Sequence, residues 1–480
     1  MRQSGQALVP GMLLLAAGVL VWVYFYNGSQ VIAARGRLTH TADAMAYSAA
    51  LVQARTLNFH AYINRTQLAH QVAMAHVVTL AAWARLGSTQ ARQVGRGNPP
   101  ATLIGMMFGP AHAVAYRSSR AAAAGGTGDG APADLAQAYG THERAVHEIL
   151  SRSRQQLLAT ARSSRDSALQ AVLAANHPVN VEQRWPGELP AVQWLTDDWH
   201  DAVRPLSALR DPGVLGLLGD MQRQYGFLHP RDHTARNTWA VQHRCPMKRH
   251  ELRRRGRTQL DETGRWQAHD TQSYHALRSN RWIGCYYREY PMGWGRAQPS
   301  GKQADDLPQH SDDAPADFSA EDFWRWAARQ AGWDILEGRD NALANSYAIG
   351  APLRLGGRGL PVLSTLNPER AEGIRIAFAL RQRARDLPTT PKGSSHVRIG
   401  PGDLAFTAFQ EHEGMTVHAA AETYFARPVA RRDGRLESAN LFHPYWQARL
   451  RAVSETELRR QSGRASGAPA DLGQGGRSLQ

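Results

Sequence analysis

Lysine is all but missing from this chain: Lys248, Lys302 and Lys392 stand among 56 basic residues, so the net charge of +15 is carried by arginine. Alanine and glycine are abundant as well, and the skew reads as a coding bias towards Arg and Ala rather than a surface built to hold phosphate. The densest basic run, Lys248-Arg249-His250 with Arg253-Arg254-Arg255, has no aromatic residues between its charges on which bases could stack. It reads as a solvated loop, and no nucleic-acid partner is expected. Cysteine is scarce too, with Cys245 and Cys285 alone, which excludes a disulfide-dense scaffold. Proline is absent between Pro10 and Pro99, so nothing there interrupts a helix. No charged residue occurs from Gln3 to Ala34.

That uncharged run holds an apolar stretch from Ala7 to Tyr26, long enough to cross a hydrocarbon core as a helix of roughly 20 residues. A cleaved secretory signal fits less well. The run exceeds the roughly 7–15 residues of a signal core, and Tyr24, Phe25 and Tyr26 resemble an interfacial aromatic belt. The nearest cleavage site, ending at Ala34, would put Ile32 where a small residue belongs. Residues 1–37 are therefore expected to be an uncleaved anchor with the lipid bilayer as partner. Arg2 stands on one side of it and Arg35 and Arg37 on the other, so charge alone does not fix the orientation.

From Leu38 to Leu86, alanine alternates with larger apolar groups at helical spacing, among them Met45, Val52, Leu57, Leu68 and Val77. The membrane helix is expected to run on as a stalk over 38–120. A continuous helix to Leu86 would be roughly 120 Å long at 1.5 Å per residue, and Gly28 or Gly36 would be the place for a break. A glycine- and alanine-rich linker at 121–133 leads to a second helical region at 134–230. There Val146, Ile149, Leu157, Leu169 and Leu173 could face the stalk as an antiparallel partner.

The pattern changes after about Pro230. Ile374 to Leu380 and Val417 to Phe425 alternate as strands do, and Trp266 to Ala276 and Trp282 to Tyr290 are rich in aromatics. Ala297 to Asp317 and Asp386 to Asp403 read as loops, with a short helix at Glu321 to Gln330. The expected fold class is α+β: a transmembrane helix continuing into a long helical stalk or hairpin, then a mixed body at 231–460 with an antiparallel sheet. The tail at 461–480 is too polar to fold alone.

Motifs for chemistry fail on spacing. His142-Glu143 and His147 stand one residue too far apart for HExxH, so on an α-helix the two imidazoles diverge by about 140°. Gly356-Gly357-Arg358-Gly359 lacks the Lys-Ser/Thr of a phosphate loop and reads as a tight turn. No G-x-S-x-G elbow is present. Asp270-Thr271-Gln272-Ser273 lacks the D-x-S-x-S order of a metal-dependent adhesion site. His243, Cys245, His250 and Cys285 carry zinc-ligand chemistry at a spacing that matches no ordinary knuckle. A body beyond the membrane would lie in an oxidising compartment, where a Cys245–Cys285 disulfide is the expected state. Free buried thiols and a metal site are the alternatives. No catalytic residue, cofactor or metal is expected.

Gly5-Gln6-Ala7 leading into the apolar anchor, followed by Arg35-Gly36-Arg37-Leu38-Thr39-His40-Thr41-Ala42-Asp43-Ala44-Met45-Ala46, resembles the start of TadG-like pilus-assembly proteins. Tyr424-Phe425-Ala426-Arg427-Pro428, Arg431-Arg432-Asp433-Gly434-Arg435, Asn440-Leu441-Phe442 and Pro444-Tyr445-Trp446 look like the end of longer members. The likeness covers roughly the first 85 residues and the last 40. It implies a single-pass, non-enzymatic inner-membrane component of a Tad (Flp-type) pilus assembly or secretion apparatus. Its amino terminus would lie inside, its 231–460 body in the periplasm, and its partners would be other pilus-assembly or secretion proteins. Pro10 stands where the pilins of this class carry glutamate, which argues against processing after Gly5 into a filament subunit. The signature of the von Willebrand-type domain found in some members is absent. The alternative is a membrane-tethered periplasmic hydrolase with a site assembled from distant residues such as His243, Asp270 and His275.

Overall fold

The computed structural model describes residues 8–97, 99–124, 130–177, 189–281, 284–299, 353–383, 397–399, 402–404 and 414–459. The Gly5-Gln6-Ala7 start, the centre of the expected linker, the short helix at Glu321 to Gln330, most of the two expected loops and the tail lie outside them. In chain order the helices are α1 (Leu8–Arg96), α2 (Ala101–Phe108), α3 (Pro110–Ala124), α4 (Gly130–Arg144), α5 (Ser151–Asn176) and α6 (Pro212–Gln224). A π-helical turn, Ala145–Leu150, joins α4 to α5. The strands are β1 (Ala191–Asp197), β2 (Val203–Ser207), β3 (His233–Arg236), β4 (Glu251–Leu260), β5 (Trp266–Asn280), β6 (Gly284–Pro299), β7 (Leu353–Leu355), β8 (Val362–Leu366), β9 (Ile374–Arg383), β10 (Val397–Ile399), β11 (Gly402–Leu404), β12 (Gly414–Phe425) and β13 (Trp446–Arg451). The fold is α+β, with an apolar helix at the amino end and antiparallel sheets beyond it.

Helix α1 passes through Gly28 and Gly36 without a break. Its first turns are long and apolar enough to cross a membrane, and none of that apolar window is buried. Leu13, Leu14, Leu15, Trp22 and Phe25 stand exposed there, as side chains facing lipid would. From Ala34 onward the character reverses, and Leu38, Ala42, Met45, Ala46, Ala49 and Ala50 are buried. The alanine that favours helix also leaves room for strands to lie close against it.

The chain forms two units, each drawn from separated segments. The first takes residues 1–64, 154–205 and 364–480. Its sheet runs β1-β9-β12-β13, antiparallel throughout. Leu38 and Met45 of α1 share a core with Leu169 and Leu173 of α5 and with Phe378 and Val417 of the sheet. Ala54 and Leu57 meet Ala161 further along, so α1 and α5 run antiparallel. Strands β1 and β2 fall inside the stretch expected to be helical to residue 230. Asn58 locks the register: its Nδ2 donates to Trp446 O at 3.0 Å, and Trp446 N donates to its Oδ1 at 3.0 Å.

The second unit takes residues 65–153 and 206–363. Its sheet runs β3-β4-β5-β6-β7, antiparallel except between β6 and β7. Met74, Val78 and Ala82 of α1 pack on Trp266, Ala268 and Ala297 of that sheet. The Arg253-Arg254-Arg255 run is strand rather than loop. Its charges are absorbed by Glu251, which takes Arg236 at 2.9 Å and Arg253 at 2.7 Å, and by aromatic faces: Arg253 lies over Tyr287 and Arg254 over Trp83. Aromatic neighbours missing along the sequence arrive from adjacent elements.

Cys245 and Cys285 form a disulfide with Cα atoms 6.1 Å apart and a sequence separation of 40. Closing a loop of that length restricts the unfolded chain by about 4 kcal/mol. Replacing both cysteines by serine is expected to lower the urea midpoint accordingly, measured without reductant against the wild type. An unchanged midpoint would mean that the bridge adds nothing.

Candidate functional site

Polar side chains are concentrated along the buried face of α1. In the first unit, His60, Asn64 and Gln53 are at most 1% exposed. Strands and the loop before β13 give them partners, the hydroxyl of Ser364 for His60 and that of Thr423 for Gln53. Asn64 Nδ2 donates to Ser364 O at 2.8 Å and to Leu441 O at 2.7 Å, while Ser364 N donates to its Oδ1 at 2.9 Å. Thr423 Oγ1 donates to Ala50 O at 2.9 Å. Losing one member of such a set strands its partner at about 1–3 kcal/mol, so these bonds fix which strand meets which turn of α1.

His60 is the titratable member. Its Nδ1 lies 3.0 Å from Ser364 Oγ, and burial, with Arg154 adding a smaller push, lowers its pKa to about 4. In the unfolded chain the same imidazole titrates near 6.5. Above pH 6.5 both states are neutral and the group contributes no pH dependence. Below it the unfolded state binds the proton first, so stability falls from pH 6.5 to pH 4, by up to about 3 kcal/mol. His60→Gln is expected to reduce the acid loss between pH 7 and pH 4.5, read as the shift in urea midpoint against the wild type. An equal loss in both would remove His60 from the account.

In the second unit two motifs that the sequence left separate meet. Arg358 N donates to Glu143 Oε1 at 2.7 Å, the Arg358 guanidinium pairs with Glu148 at 2.9 Å, and His147 Nε2 donates to Gly359 O at 3.1 Å. A Cβ at Gly356 would enter the Glu143 carboxylate, and Gly359 has φ +72°. The glycine run is thus a cradle for a helix carboxylate. His142 turns instead to His70 of α1, with the Nδ1 atoms 2.8 Å apart. One ring must donate and the other accept, and burial and His142 both lower the pKa of His70. His142 and His147 therefore take different partners. Among the described residues no group of three or more His, Cys, Asp and Glu side chains could hold a metal ion.

The hydrolase candidates His243, Asp270 and His275 are not brought together. His243 is exposed on the loop before β4. Asp270 and His275 lie five residues apart on β5 and so on opposite faces. Asp270 is fully buried and held by Arg231, whose Nε and Nη2 donate to its two oxygens at 2.9 and 2.8 Å. His275 Nε2 lies 2.9 Å from Ser273 Oγ and 3.6 Å from Glu289 Oε1.

Sequence reasoning weighed Ser273 only within the adhesion-site pattern and missed Glu289 altogether. Alternation along one strand places Ser273 on the face of His275, and Glu289 stands directly across in the register. Serine and glutamate address the same imidazole nitrogen, however, whereas a catalytic base takes the serine proton at one nitrogen and is oriented through the other. All three are at most 2% exposed. Burial, with Arg253 and Arg255 nearby, holds the His275 pKa well below its ordinary value and keeps the ring neutral.

A cleft of about 360 Å³ in the first unit lies between α5 and β1, lined by Leu169, Leu173, Val192, Trp194 and Asp166 among others. Arg165 holds two of the lining residues: 1% exposed, it pairs with Asp166 at 2.8 Å and lies over Trp194, and it also pairs with Asp197 at 2.6 Å. The cleft lining carries no histidine, serine or cysteine. No family model, curated protein or solved structure matches this chain.

Proposed function

We propose that this chain is a non-enzymatic, single-pass scaffold of a Tad (Flp-type) pilus assembly or secretion apparatus, anchored in the bacterial inner membrane with its body in the periplasm. The observation that carries the anchored-scaffold part is α1: an exposed apolar stretch passes, within the same helix, into residues buried as core. A removable leader would not share a helix with the core that begins at Ala34. The polar clusters support a structural role, because Arg165, Arg231 and Glu251 spend their charge on internal partners. The assignment to a pilus apparatus is supported by the likeness of Arg35 to Ala46 and of the Tyr424 to Trp446 region to TadG-like proteins.

Replacing residues 1–30 with a cleavable export signal tests the anchor while sparing Ala34 and Leu38, because the processed chain still reaches the oxidising compartment in which the bridge forms. The truncated chain is expected to leave the membrane fraction, keep the disulfide, and hydrolyse none of a panel of ester, peptide and glycoside substrates. Turnover that depended on Ser273 or His275 would favour the hydrolase reading instead. Retention of the truncated chain in the membrane would contradict the anchor.

A further inference from the structure

The loop from Asn237 to His250 contains Arg244, Lys248 and Arg249 and no acidic residue. The nearest carboxylate that follows, Glu251, is already engaged by Arg236 and Arg253. Arg244 and Lys248 are exposed, and the same loop carries two large exposed apolar side chains, Met247 at 90% exposure and Trp239 at 45%. Open loops with such side chains lose entropy when they bind, but this one is held in place. Asn237 N donates to His250 O and His250 N to Asn237 Oδ1 at its base. Asn237 Nδ2 fixes Trp239 O at 2.6 Å, Ser279 Oγ reaches Gln242 Oε1 at 3.2 Å, and the disulfide pins Cys245 to β6.

We infer that this disulfide-pinned loop is a docking surface for an acidic protein segment, with Arg244 and Lys248 meeting carboxylates and Trp239 and Met247 supplying apolar contact. Tryptophan, methionine and arginine are the residue types enriched where proteins bind proteins, and a preorganised loop forfeits less entropy on binding. Two exposed side chains as apolar as Met247 and Trp239 suit a protein surface better than a phosphate backbone, which three basic groups without stacked bases would hold only weakly. The inference rests on the scaffold reading, since it names the chemistry of one partner of that scaffold.

The test uses the full chain in phosphatidylcholine nanodiscs and a short dansylated peptide of alternating glutamate and tyrosine, with binding read by anisotropy. Binding that weakens with added salt is expected. Arg244→Glu with Lys248→Glu should weaken it by about tenfold or more, Met247→Ala by several-fold, and the control reversal Arg432→Glu with Arg435→Glu, in the first unit, by less than about twofold. Met247→Ala alters no charge and no internal bond, so it reports on the surface even if the double variant misfolds. Peptide binding indifferent to these substitutions, or tighter loop-dependent binding of phosphatidylglycerol vesicles or a single-stranded oligonucleotide, would overturn the inference. Membrane anchoring and the absence of turnover are measured separately, so failure here leaves the scaffold reading to its own test.

Discussion

Gly295→Ala is expected to destabilise the second unit by on the order of 4 kcal/mol or more, a loss large enough to prevent its folding. A Cβ at Gly295 would collide with the carbonyl oxygen of Ala82 and the amide nitrogen of Leu86, both backbone atoms of α1 that cannot swing aside. At Gly293 the added carbon would meet Gln90 and the side chain of Leu86. The close approach is sealed by Thr89: Trp294 N donates to its Oγ1 at 2.8 Å, and that oxygen lies 2.5 Å from Trp294 O. Gly219→Ala on α6 is the control, because its Cβ would meet nothing within contact distance and a helix tolerates alanine better than glycine. Limited proteolysis and thermal melting of both variants decide the matter. A Gly295→Ala protein as stable as the wild type would mean that α1 does not press this closely on β6.

Removing Arg231 comes next in size. Arg231→Leu leaves Asp270, fully buried, with no counter-charge from its bidentate partner, and a loss of about 3–5 kcal/mol is expected. Gly256 is part of the same arrangement, since a Cβ there would strike Asp270 Oδ1, and Arg231 N donates to Gly256 O at 2.8 Å. Replacing both ends together, Arg231→Leu with Asp270→Leu, should recover much of the loss, because two apolar groups leave no buried charge unpaired. Urea midpoints of the two single variants and the double variant give the coupling. Additive losses would show that the pair is not a unit, and an unaffected Arg231→Leu protein would show that Asp270 has another counter-ion.

Much of the fold could be read in the residues because period two and aromatic content survive tertiary packing. Ile374 to Leu380, Val417 to Phe425 and Trp266 to Ala276 all lie in strands, and Leu169 and Leu173 do face α1. Other features were hidden for identifiable reasons. The polar seam of α1 follows no apolar pattern: Asn64 and His60 are buried because Ser364, some three hundred positions away, supplies its backbone to the one and its hydroxyl to the other. Strand β4 looked like a charged loop because the Glu251 counter-charge and the Tyr287 and Trp83 ring faces meet its arginines only in three dimensions. The meeting of Glu143 with the Gly356 to Gly359 turn depends on residues more than two hundred positions apart. Spacing alone did separate His142 from His147, and they take different partners, though the π-helical turn that carries His147 had no visible signal.

Topology is the most direct test of an anchored scaffold whose body lies beyond the membrane. A periplasm-active phosphatase fused after Gln480 would be assayed in intact cells, and Cys245 and Cys285 probed with a thiol reagent after denaturation without reductant. An active fusion with both thiols blocked is the predicted result. An inactive fusion with two reactive thiols would put the body in the cytoplasm and contradict both the periplasmic scaffold and the bridge that pins its loop.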